Sequence, residues 1–507
     1  MLTGSTDITL VCPPSAAETI TTALNTNPFL TSLPYPKPDL LSPTGLDQNT
    51  GTAQILRLPE LQALVRSDFL VLPCDLVCEL GADKLLQAWM VKAASLTDLL
   101  SHSELHRGQR SGGLGVWYET KTATPVKGEE TDFTATVPLP PSPVHAQRGS
   151  LFPHISKLVY SMPTDSRKDL VDEESGLPVR VSLLKSHPRV RMLSTYRDAH
   201  LYILPRWVMD FIRENEELET IGEDAIGWWV KAGWQRGLTS KLRFKKVLGC
   251  DAEADKAEDE KSGPSATSSP GKSTTSQAPI TASKDKAEQA RQGGSSLGDT
   301  GELVVPPMLA YIHPSKQATD SGSTGGAAPA PAVIRRVDTA QLLLQISLQL
   351  AKLPSVEETG HEAASPFAHA RKVAYPDGVK PRTTITKADS LVADNVTVQE
   401  KTSIKECVIG ANCQISEGAK LSQCLLMDGV VVGKNCKLTK CILGKRSEIG
   451  EGCVLTDCEV QENMLVERKS KPPYSYRREP APTNTNIHLL PSLSAFLEGS
   501  AVLTFAQ

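Results

Sequence analysis

The stretch Ile404–Leu421, IKECVIGANCQISEGAKL, contains one full unit of a pattern that repeats every seventeen residues. Within the unit, branched apolar residues follow one another at spacings of six, six and five, and glycine recurs at the corners. A fixed period with glycine at recurring positions predicts a solenoid, and a hexapeptide period is typical of a parallel β-helix with three short strands per coil. Three series keep this step: Val392, Ile409, Leu426, Leu443 and Val460; Ile404, Leu421, Leu438 and Leu455; and Cys407, Cys424, Cys441 and Cys458.

The repeats contain no histidine, since none occurs between His369 and His488. Hexapeptide-repeat acyltransferases use a histidine between coils as a general base, because the acyl acceptor needs a base whose pKa is near neutral. The repeats therefore favour a platform for assembly. A catalytic solenoid that takes its histidine from elsewhere is the alternative.

Seven of the eleven cysteines lie in the repeats. A zinc site needs four ligands that converge on one point, usually as close pairs. A seventeen-residue step instead places one cysteine per coil in a column, where the residue behaves as a small buried hydrophobe. We interpret these cysteines as structural thiols and predict no metal site.

Composition and charge narrow the function further. A length of 507 residues gives room for roughly three domains, and a net charge of −4 argues against a nucleic-acid binder that works by bulk charge. The segment Met1–Asp7 has neither a basic region nor a long apolar run, so it does not resemble a signal peptide. The most apolar long stretch, Ala340–Leu353, is too short to span a membrane. We expect a soluble, cytosolic protein without a membrane or nucleic-acid partner.

The first part of the chain follows the order strand, helix, helix, strand, helix, which predicts a doubly wound α/β sheet. The expected strands are Ile8–Val11 and Phe69–Leu72, the second of which is too apolar to alternate, as in parallel sheets. Pro28–Pro43 is expected to be extended. The expected helices are Ser15–Leu24, with Ser15 and Glu18 as a capping box, then Gly51–Leu64 and Gly81–Ala94.

The chain is predicted to divide into an α/β domain at 1–353, a linker at 354–383, a β-helix at 384–466 and a tail of unassigned structure at 467–507. Polar insertions at about 119–147, 251–301 and 315–331 interrupt the first domain, and their composition predicts disorder. The later elements of that domain are predicted as strands at Pro178–Leu184, Ala199–Leu204 and Leu309–Ile312, and helices at Trp207–Asn215, Glu223–Trp234 and Thr339–Leu353.

Asp75 is the residue of the α/β domain that first suggests a ligand. It directly follows the strand Phe69–Leu72, at the edge where open α/β sheets bind ligands, which makes it a candidate for contact with Mg²⁺ or a nucleotide. A turn or helix-cap aspartate is the alternative. Gly112–Gly115 resembles a phosphate loop only superficially, and glycines at this density predict a hairpin or turn.

Three segments together resemble the gamma-subunit family of eukaryotic translation initiation factor 2B: Ser67–Val77 (SDFLVLPCDLV), Glu223–Trp234 and the repeats. The likeness covers most of Asp7–Val466 apart from the polar insertions, and Arg335–Leu353 matches the helix before the family's linker. The resemblance implies a nucleotidyltransferase-like α/β domain followed by a left-handed parallel β-helix. Sugar-nucleotide pyrophosphorylases share this architecture, so such an enzyme, or its inactive regulatory paralogue, is the alternative.

The resemblance also implies a function. It predicts a regulatory subunit, not an enzyme by itself, of the complex that exchanges GDP for GTP on initiation factor 2. The implied partners are the epsilon subunit, which carries the exchange domain, the other subunits of the complex, and initiation factor 2 itself.

The same resemblance places the nucleotide side of the domain at Gly51, Thr52, Ala53 and Asp75. The family's glycine-rich loop, which cradles phosphates through backbone N–H groups, has no counterpart before Ile8. This implies that the domain's first strand is missing, that the strand at Ile8 is its second, and that the nucleotide side is vestigial, with no catalytic residue and no resident cofactor. A parallel sheet that lacks a strand is expected to expose an unpaired edge.

Overall fold

A computed structural model of the chain describes residues 5–32, 36–47, 49–93, 111–121, 129–140, 150–174, 176–248, 303–314, 332–360, 364–372, 377–470 and 500–505. The predicted insertions at 251–301 and 315–331 lie outside the described residues. No described helix combines the length and the apolar character that a membrane crossing requires.

The strands fall into two groups and are numbered along the chain. The α/β part contains β1 Ser5–Val11, β2 Pro38–Leu41, β3 Phe69–Pro73, β4 Leu76–Cys78, β5 Gly113–Glu119, β6 Asp132–Pro138, β7 Ile155–Met162, β8 Arg191–Leu204, β9 Met308–Ile312 and β10 Ile334–Arg336. The repeats contain β11 Thr384–Ile385, β12 Leu391–Val392, β13 Thr397–Val398, β14 Ser403–Lys405, β15 Val408–Ile409, β16 Gln414–Ile415, β17 Lys420–Ser422, β18 Leu425–Leu426, β19 Val431–Val432, β20 Lys437–Thr439, β21 Ile442–Leu443, β22 Glu448–Ile449, β23 Val454–Thr456, β24 Glu459–Val460 and β25 Leu465–Val466, and β26 Ser500–Phe505 follows them.

Helices accompany the strands of the α/β part. They are Pro14–Thr26, Pro28–Thr31, Thr52–Arg57, Pro59–Leu64, Ala82–Ala93, Thr164–Glu174, Val181–Ser186, Trp207–Glu214, Gly227–Ala232, Leu238–Lys241, Phe244–Val247, Ala340–Ala351 and Val356–Thr359. A π-helical turn at Ile221–Ile226 runs directly into the helix Gly227–Ala232, which gives the predicted helical segment around the three tryptophans.

Nine of the described strands form one mixed sheet in the order β2-β1-β26-β3-β8-β5-β9-β7-β6. Apolar side chains cover both of its faces. Phe69 and Val71 of β3 pack with Trp207 and Trp229 on one face, while Leu70 packs with Leu85 on the other. This two-sided burial explains the unbroken apolar run in β3. The parallel pairing expected for this strand is wrong, because both of its described neighbours, β26 and β8, are antiparallel to it. The α/β region is consistent with a nucleotidyltransferase-like domain, as predicted.

Several local predictions for the front of the chain are wrong. The first helix begins at Pro14 with Pro13 as its N-cap and has no side-chain cap bond, because proline already suits the first turn; the predicted capping box at Ser15 is absent there. Pro28–Pro43 is extended only in part: β2 within it is extended as predicted, but its first residues form the short helix Pro28–Thr31. Pro178–Leu184 is not a strand, because the helix Val181–Ser186 occupies it; a short apolar run does not distinguish the two by its period.

The predictions for residues 112–147 also need correction. Gly113 and Gly115 lie inside β5 and not in a turn. A Cβ at Gly113 would come within 2.9 Å of the Trp229 ring, and one at Gly115 within 2.8 Å of the Trp117 ring, so the glycines make room for tryptophans. The segment 119–147 is not wholly disordered, because β6 within it pairs with both β7 and β8; residues 122–128 and 141–147 lie outside the described residues.

The repeats form a parallel β-helix with the predicted register. Each strand pairs with the strand seventeen residues further on, as Ile404 with Leu421 and Ile409 with Leu426. Three parallel sheets result, β11-β14-β17-β20-β23, β12-β15-β18-β21-β24 and β13-β16-β19-β22-β25. The predicted apolar series line the interior, and the coils run from Thr384 to Val466.

The cysteines pack inside the β-helix as the period predicts. Cys407, Cys424 and Cys441 are fully buried, and the described cysteines are free thiols. The Cys413 Sγ donates a hydrogen bond to the Met427 carbonyl of the next coil at 3.1 Å, and the Cys424 N–H lies 3.5 Å from the Cys407 Sγ. The hydrogen-bonding groups of these cysteines therefore find their partners within the stacked coils, as is typical of structural cysteines.

The helix Ala340–Ala351 covers one outer face of the β-helix. Its Leu344 packs with Leu425 and Ile442, two outward-facing residues that would otherwise be exposed. The Thr339 hydroxyl caps this helix by accepting the N–H of Leu342 at 3.3 Å. The helix therefore joins the β-helix to the strand β10, which lies three residues before the cap.

The tail contributes a strand to the α/β sheet. β26 lies between β1 and β3 and is antiparallel to both. The edge that was expected to stay unpaired beside β1 is therefore paired in the structure. Residues 471–499, which lead to this strand, lie outside the described residues.

We predict that Leu421→Ala destabilises the β-helix by about 2–5 kcal/mol, because it opens a cavity at a site that is only 2% exposed. The neighbouring exposed Lys420→Ala should have little effect. All six tryptophans precede residue 235, so tryptophan fluorescence does not report on the repeats. Hydrogen exchange of peptides from residues 400–460 is the suitable measurement, and equal protection in the two variants would contradict the assigned interior.

Candidate functional site

The residues predicted for the nucleotide side lie at the start of a helix whose first N–H groups already donate hydrogen bonds within the chain. Gly51 precedes the helix Thr52–Arg57, and the Ala53 and Gln54 N–H groups donate to the Glu219 carbonyl at 2.9 and 3.3 Å. The Thr52 hydroxyl accepts the N–H of Ile221 at 2.9 Å. A Cβ at Gly51 would lie 2.3 Å from the Glu219 carbonyl oxygen, so the close approach requires glycine. These groups hold the segment at Glu219 in place, and nucleotide binding by them stays a prediction.

Asp75 lies just beyond β3, as predicted, but its carboxylate is paired. Its Oδ2 accepts hydrogen bonds from Arg336 Nε at 3.0 Å and is 2.9 Å from Arg336 Nη2. The pairing of β10 with β4 sets Arg336 opposite Leu76, which brings the guanidinium to Asp75. The Asp75 carbonyl also accepts the N–H of Val337 at 2.8 Å. Asp75 therefore lies in the turn between β3 and β4, as the alternative predicted, and its carboxylate forms an ion pair with Arg336. Contact of Asp75 with Mg²⁺ or a nucleotide stays a prediction.

A second arginine–carboxylate pair lies beside the first. Arg197 of β8 donates from Nη2 to Asp338 Oδ2 at 2.5 Å and from Nη1 to Oδ1 at 3.3 Å, a bidentate contact. Glu130 Oε2 is 3.5 Å from the same Nη2. The hydrogen bond from Arg197 offsets the burial of the Asp338 carboxyl and holds its pKa below the usual value.

The remaining buried groups lie along β8. Asp198 accepts hydrogen bonds from the Tyr202 hydroxyl and from the His200 N–H, the latter at 2.9 Å. Its own N–H donates to Asp132 Oδ2 at 2.7 Å. His200 Nε2 lies 3.4 Å from Arg336 Nη1, which connects these residues to the first ion pair. We call the whole set the buried charge cluster: Asp75, Asp132, Arg197, Asp198, His200, Tyr202, Arg336 and Asp338.

Burial shifts the titration of Asp198 and His200 toward their uncharged forms. It raises the pKa of Asp198 to about 7, against the hydrogen bond from Tyr202. It also lowers the pKa of His200 to about 3, with a further contribution from the Arg336 charge. Between about pH 3 and 7, Asp198 is thus largely protonated and His200 is neutral, so the two add little net charge to the interior.

The cluster does not fit a resident Mg²⁺. Asp75 Oδ1 is buried and finds no hydrogen-bond partner among the described residues, but a cation beside it would meet the Arg336 guanidinium. In the described part of the chain, no three His, Cys, Asp or Glu side chains are grouped so that they could hold a metal ion. The arrangement is suited to joining β3, β8 and β10.

Sequence reasoning missed most of this cluster. Arg336 and Asp338 were recognised only as the approach to a helix, and Arg197 and Asp198 lay just before the predicted strand at Ala199. A signal was available, since Arg197, Asp198, His200 and Tyr202 put ionisable groups into a strand that otherwise reads as buried. Their partners outside the strand, however, are 66 to 141 residues distant.

An apolar cleft of about 250 Å³ lies on the same side of β3 as Leu70. Leu72, Leu76 and Leu85 line it, and Phe367 from the predicted linker closes one side. None of the charged groups of the cluster lines this cleft, so the structure does not combine them into one pocket.

Comparison with known proteins finds two likenesses to subunits of eIF2B. Residues 375–471 match the family model described as the EIF2B subunit epsilon LbH domain, which agrees with the left-handed β-helix that the resemblance implied. The translation initiation factor eIF2B subunit gamma of Schizosaccharomyces pombe is 26% identical over 211 residues. These residues are 41% of this chain and 38% of the relative, so the chain spans well under half the length of that protein. Together the two likenesses support an eIF2B gamma-like protein.

We predict that Arg336→Met destabilises the α/β domain by about 3–5 kcal/mol, because it leaves the Asp75 charge buried without its partner. The double variant Asp75→Asn with Arg336→Met should recover much of the loss. Replacing the exposed Arg213 of the Arg213–Asp210 pair, which lies in the same domain, should change little, since exposed pairs contribute weakly. Urea unfolding followed by tryptophan fluorescence measures all three, and a loss under about 1 kcal/mol in Arg336→Met would contradict the buried-pair assignment.

We also predict opposite pH slopes from Asp198 and His200. Asp198 binds its proton up to pH about 7 when folded but only up to about 3.8 when unfolded, so its contribution to stability falls as pH rises through that window. His200 is protonated below about 3 when folded and below 6.5 when unfolded, so its contribution rises with pH between those values. The two effects oppose each other from about pH 4 to 6.5.

Asp198→Asn should remove one effect and leave stability rising with pH, by up to about 1.4 kcal/mol per pH unit relative to the wild type. The exposed Asp169→Asn is the matched control and should follow the wild-type profile. Denaturant unfolding at a series of pH values gives the comparison. An unchanged profile in Asp198→Asn would show that the two residues do not titrate as assigned.

Proposed function

We propose that this chain is a regulatory subunit of the eIF2B complex, which exchanges GDP for GTP on translation initiation factor 2. The observation that carries the proposal is the coincidence of two likenesses in one chain. A stretch of 211 residues is similar to the gamma subunit of a yeast eIF2B, and the repeats match the β-helix domain described for the epsilon subunit. Each likeness points to the same complex from a different comparison.

The contacts of the predicted site residues favour a structural role for them over a catalytic one. The N–H groups at the start of the helix Thr52–Arg57 bind the Glu219 carbonyl, and the Asp75 carboxylate binds Arg336. A nucleotide that used these groups would first have to displace both sets of contacts. The repeats add a long regular surface without a histidine that could serve as a base.

The proposed partners follow from this assignment. The chain would associate with the epsilon subunit, which carries out exchange, and with the other subunits of the complex, and through them it would act on initiation factor 2. The chain would then act in the cytosol. No direct contact with nucleic acid or membrane is proposed.

The proposal predicts that a larger paralogue with a C-terminal exchange domain co-purifies with the tagged chain when the chain is purified from its own cells. Leu438→Asp should abolish this association, because it puts a charge into the β-helix interior at a residue that is 1% exposed. Lys437→Ala, on the exposed side of the same strand, should preserve it. Native mass spectrometry of the purified material gives the composition. A wild-type chain recovered without such a paralogue would rule out the subunit assignment.

A second measurement separates the regulatory role from catalysis. The purified complex should release GDP from initiation factor 2, and the chain alone should not. The chain alone should also form no sugar nucleotide from a nucleoside triphosphate and a sugar phosphate. Turnover that depends on Mg²⁺ in this last assay would favour the pyrophosphorylase alternative.

A further inference from the structure

The strand β26 joins β1 to the rest of the α/β sheet, although it follows the β-helix in the chain. Among the described strands, β2 pairs only with β1, and β1 is joined to the rest of the sheet only through β26. β1 and β3 run parallel to each other, since each is antiparallel to β26. Without β26, the sheet would separate between β1 and β3.

The pairing on both sides of β26 is nearly continuous. Val502 lies opposite Thr9 of β1 and Val71 of β3, and Leu503 lies opposite Ile8 and Leu70. Successive residues of such a central strand bond to opposite neighbours, so both ladders depend on the same few residues. Recognition of this kind rests mainly on main-chain hydrogen bonds, as in strand addition.

The acceptor strands and the added strand suit each other chemically. Phe69, Leu70 and Val71 are buried, as is Val11 of β1, so the two strands have the apolar character of a sheet interior. The sequence of residues 500–505, SAVLTF, has no charge and no proline and favours extended structure. Unpaired, β1 and β3 would present two apolar edges with free N–H and C=O groups, a known route to aggregation.

We propose that the gap between β1 and β3 is an acceptor site for one antiparallel strand, and that residues 500–505 of the same chain are its occupant. The interaction is an intramolecular strand addition. It makes the fold of the N-terminal domain depend on a segment that follows the β-helix. This inference does not depend on the proposed function, because it concerns the sheet alone.

Engineered disulfides in the full-length chain test the pairing directly. The register places Thr9 opposite Val502 and Leu10 opposite Ala501, and one of two adjacent antiparallel pairs has the closer spacing that favours a disulfide. We expect at least one of the double variants Thr9→Cys/Val502→Cys and Leu10→Cys/Ala501→Cys to form an intramolecular disulfide under mild oxidation. The control Thr9→Cys/Ser500→Cys, displaced by two residues, should not.

Peptide mapping of the oxidised monomer identifies the link and separates it from any disulfide made by the native Cys12 or Cys74. A link found only between two chains would assign the occupant to a second copy and overturn the intramolecular proposal. Absence of the link in both matched pairs would overturn it as well.

A complementation experiment tests the acceptor site itself. In a chain that ends at Gly499, the amides of β1 and β3 should lose most of their protection from hydrogen exchange. A synthetic peptide of residues 499–507 should restore the protection saturably. The same peptide with Val502→Pro and Leu503→Pro should not, because it lacks one N–H in each ladder.

Unchanged protection of β1 and β3 in the shortened chain would contradict the proposal. Equal rescue by the proline-containing peptide would contradict it too, because the ladders would then not be the basis of binding. If the shortened chain does not fold, the disulfide experiment in the full-length chain decides the question.

Discussion

Two buried arginine–carboxylate pairs set the relation between the sheet and the β-helix. Arg336 and Asp338 lie at the end of β10 and just after it, and they bind Asp75, in the turn after β3, and Arg197 of β8. Thr339 then caps the helix that covers the β-helix. The segment from β10 to this helix is therefore anchored at one end by charge and at the other by apolar packing. A chain that lost either anchor would keep two folded parts without a fixed connection.

This arrangement gives Asp75 a structural meaning. Its position at the carboxyl end of β3 is where α/β sheets bind ligands, yet its carboxylate holds the strand that leads to the β-helix. A position well suited to ligand chemistry serves here to join two parts of the molecule. The same is true of Gly51 and Ala53, which hold the backbone at Glu219. The groups that a nucleotide would use are thus part of the packing of the domain.

The sequence predicted the β-helix well because its information is local and repeated. Every coil repeats the same spacing of apolar residues, so a chance match at one position has little effect on the prediction. β6 was hidden in a polar region, because its strand character depends on pairing with β7 and β8 and not on its flanks. Pro178–Leu184 was ambiguous for a related reason, since a segment of seven residues is too short for its apolar positions to distinguish a helix from a strand. Local pattern alone could not resolve either segment.

The buried charge cluster and the pairing of β26 could not be predicted for a different reason. Both bring together residues that are far apart in the chain, and neither leaves a periodic trace. Arg336 resembles any basic residue before a helix until β10 is placed beside β4. The segment 500–505 resembles any short apolar run until a gap between two parallel strands is known to exist.

The position of β26 also has a consequence for synthesis. β1 and β3 emerge from the ribosome early, but Ser500 follows Pro73 by roughly 430 residues. At about 5–20 residues per second, their shared neighbour arrives on the order of 20–90 s later. During that interval the β-helix can already form from its own repeats, because each coil needs only the coil before it. The sheet would then close only after the β-helix has formed, and the apolar edges of β1 and β3 would have to be kept from aggregating until β26 arrives.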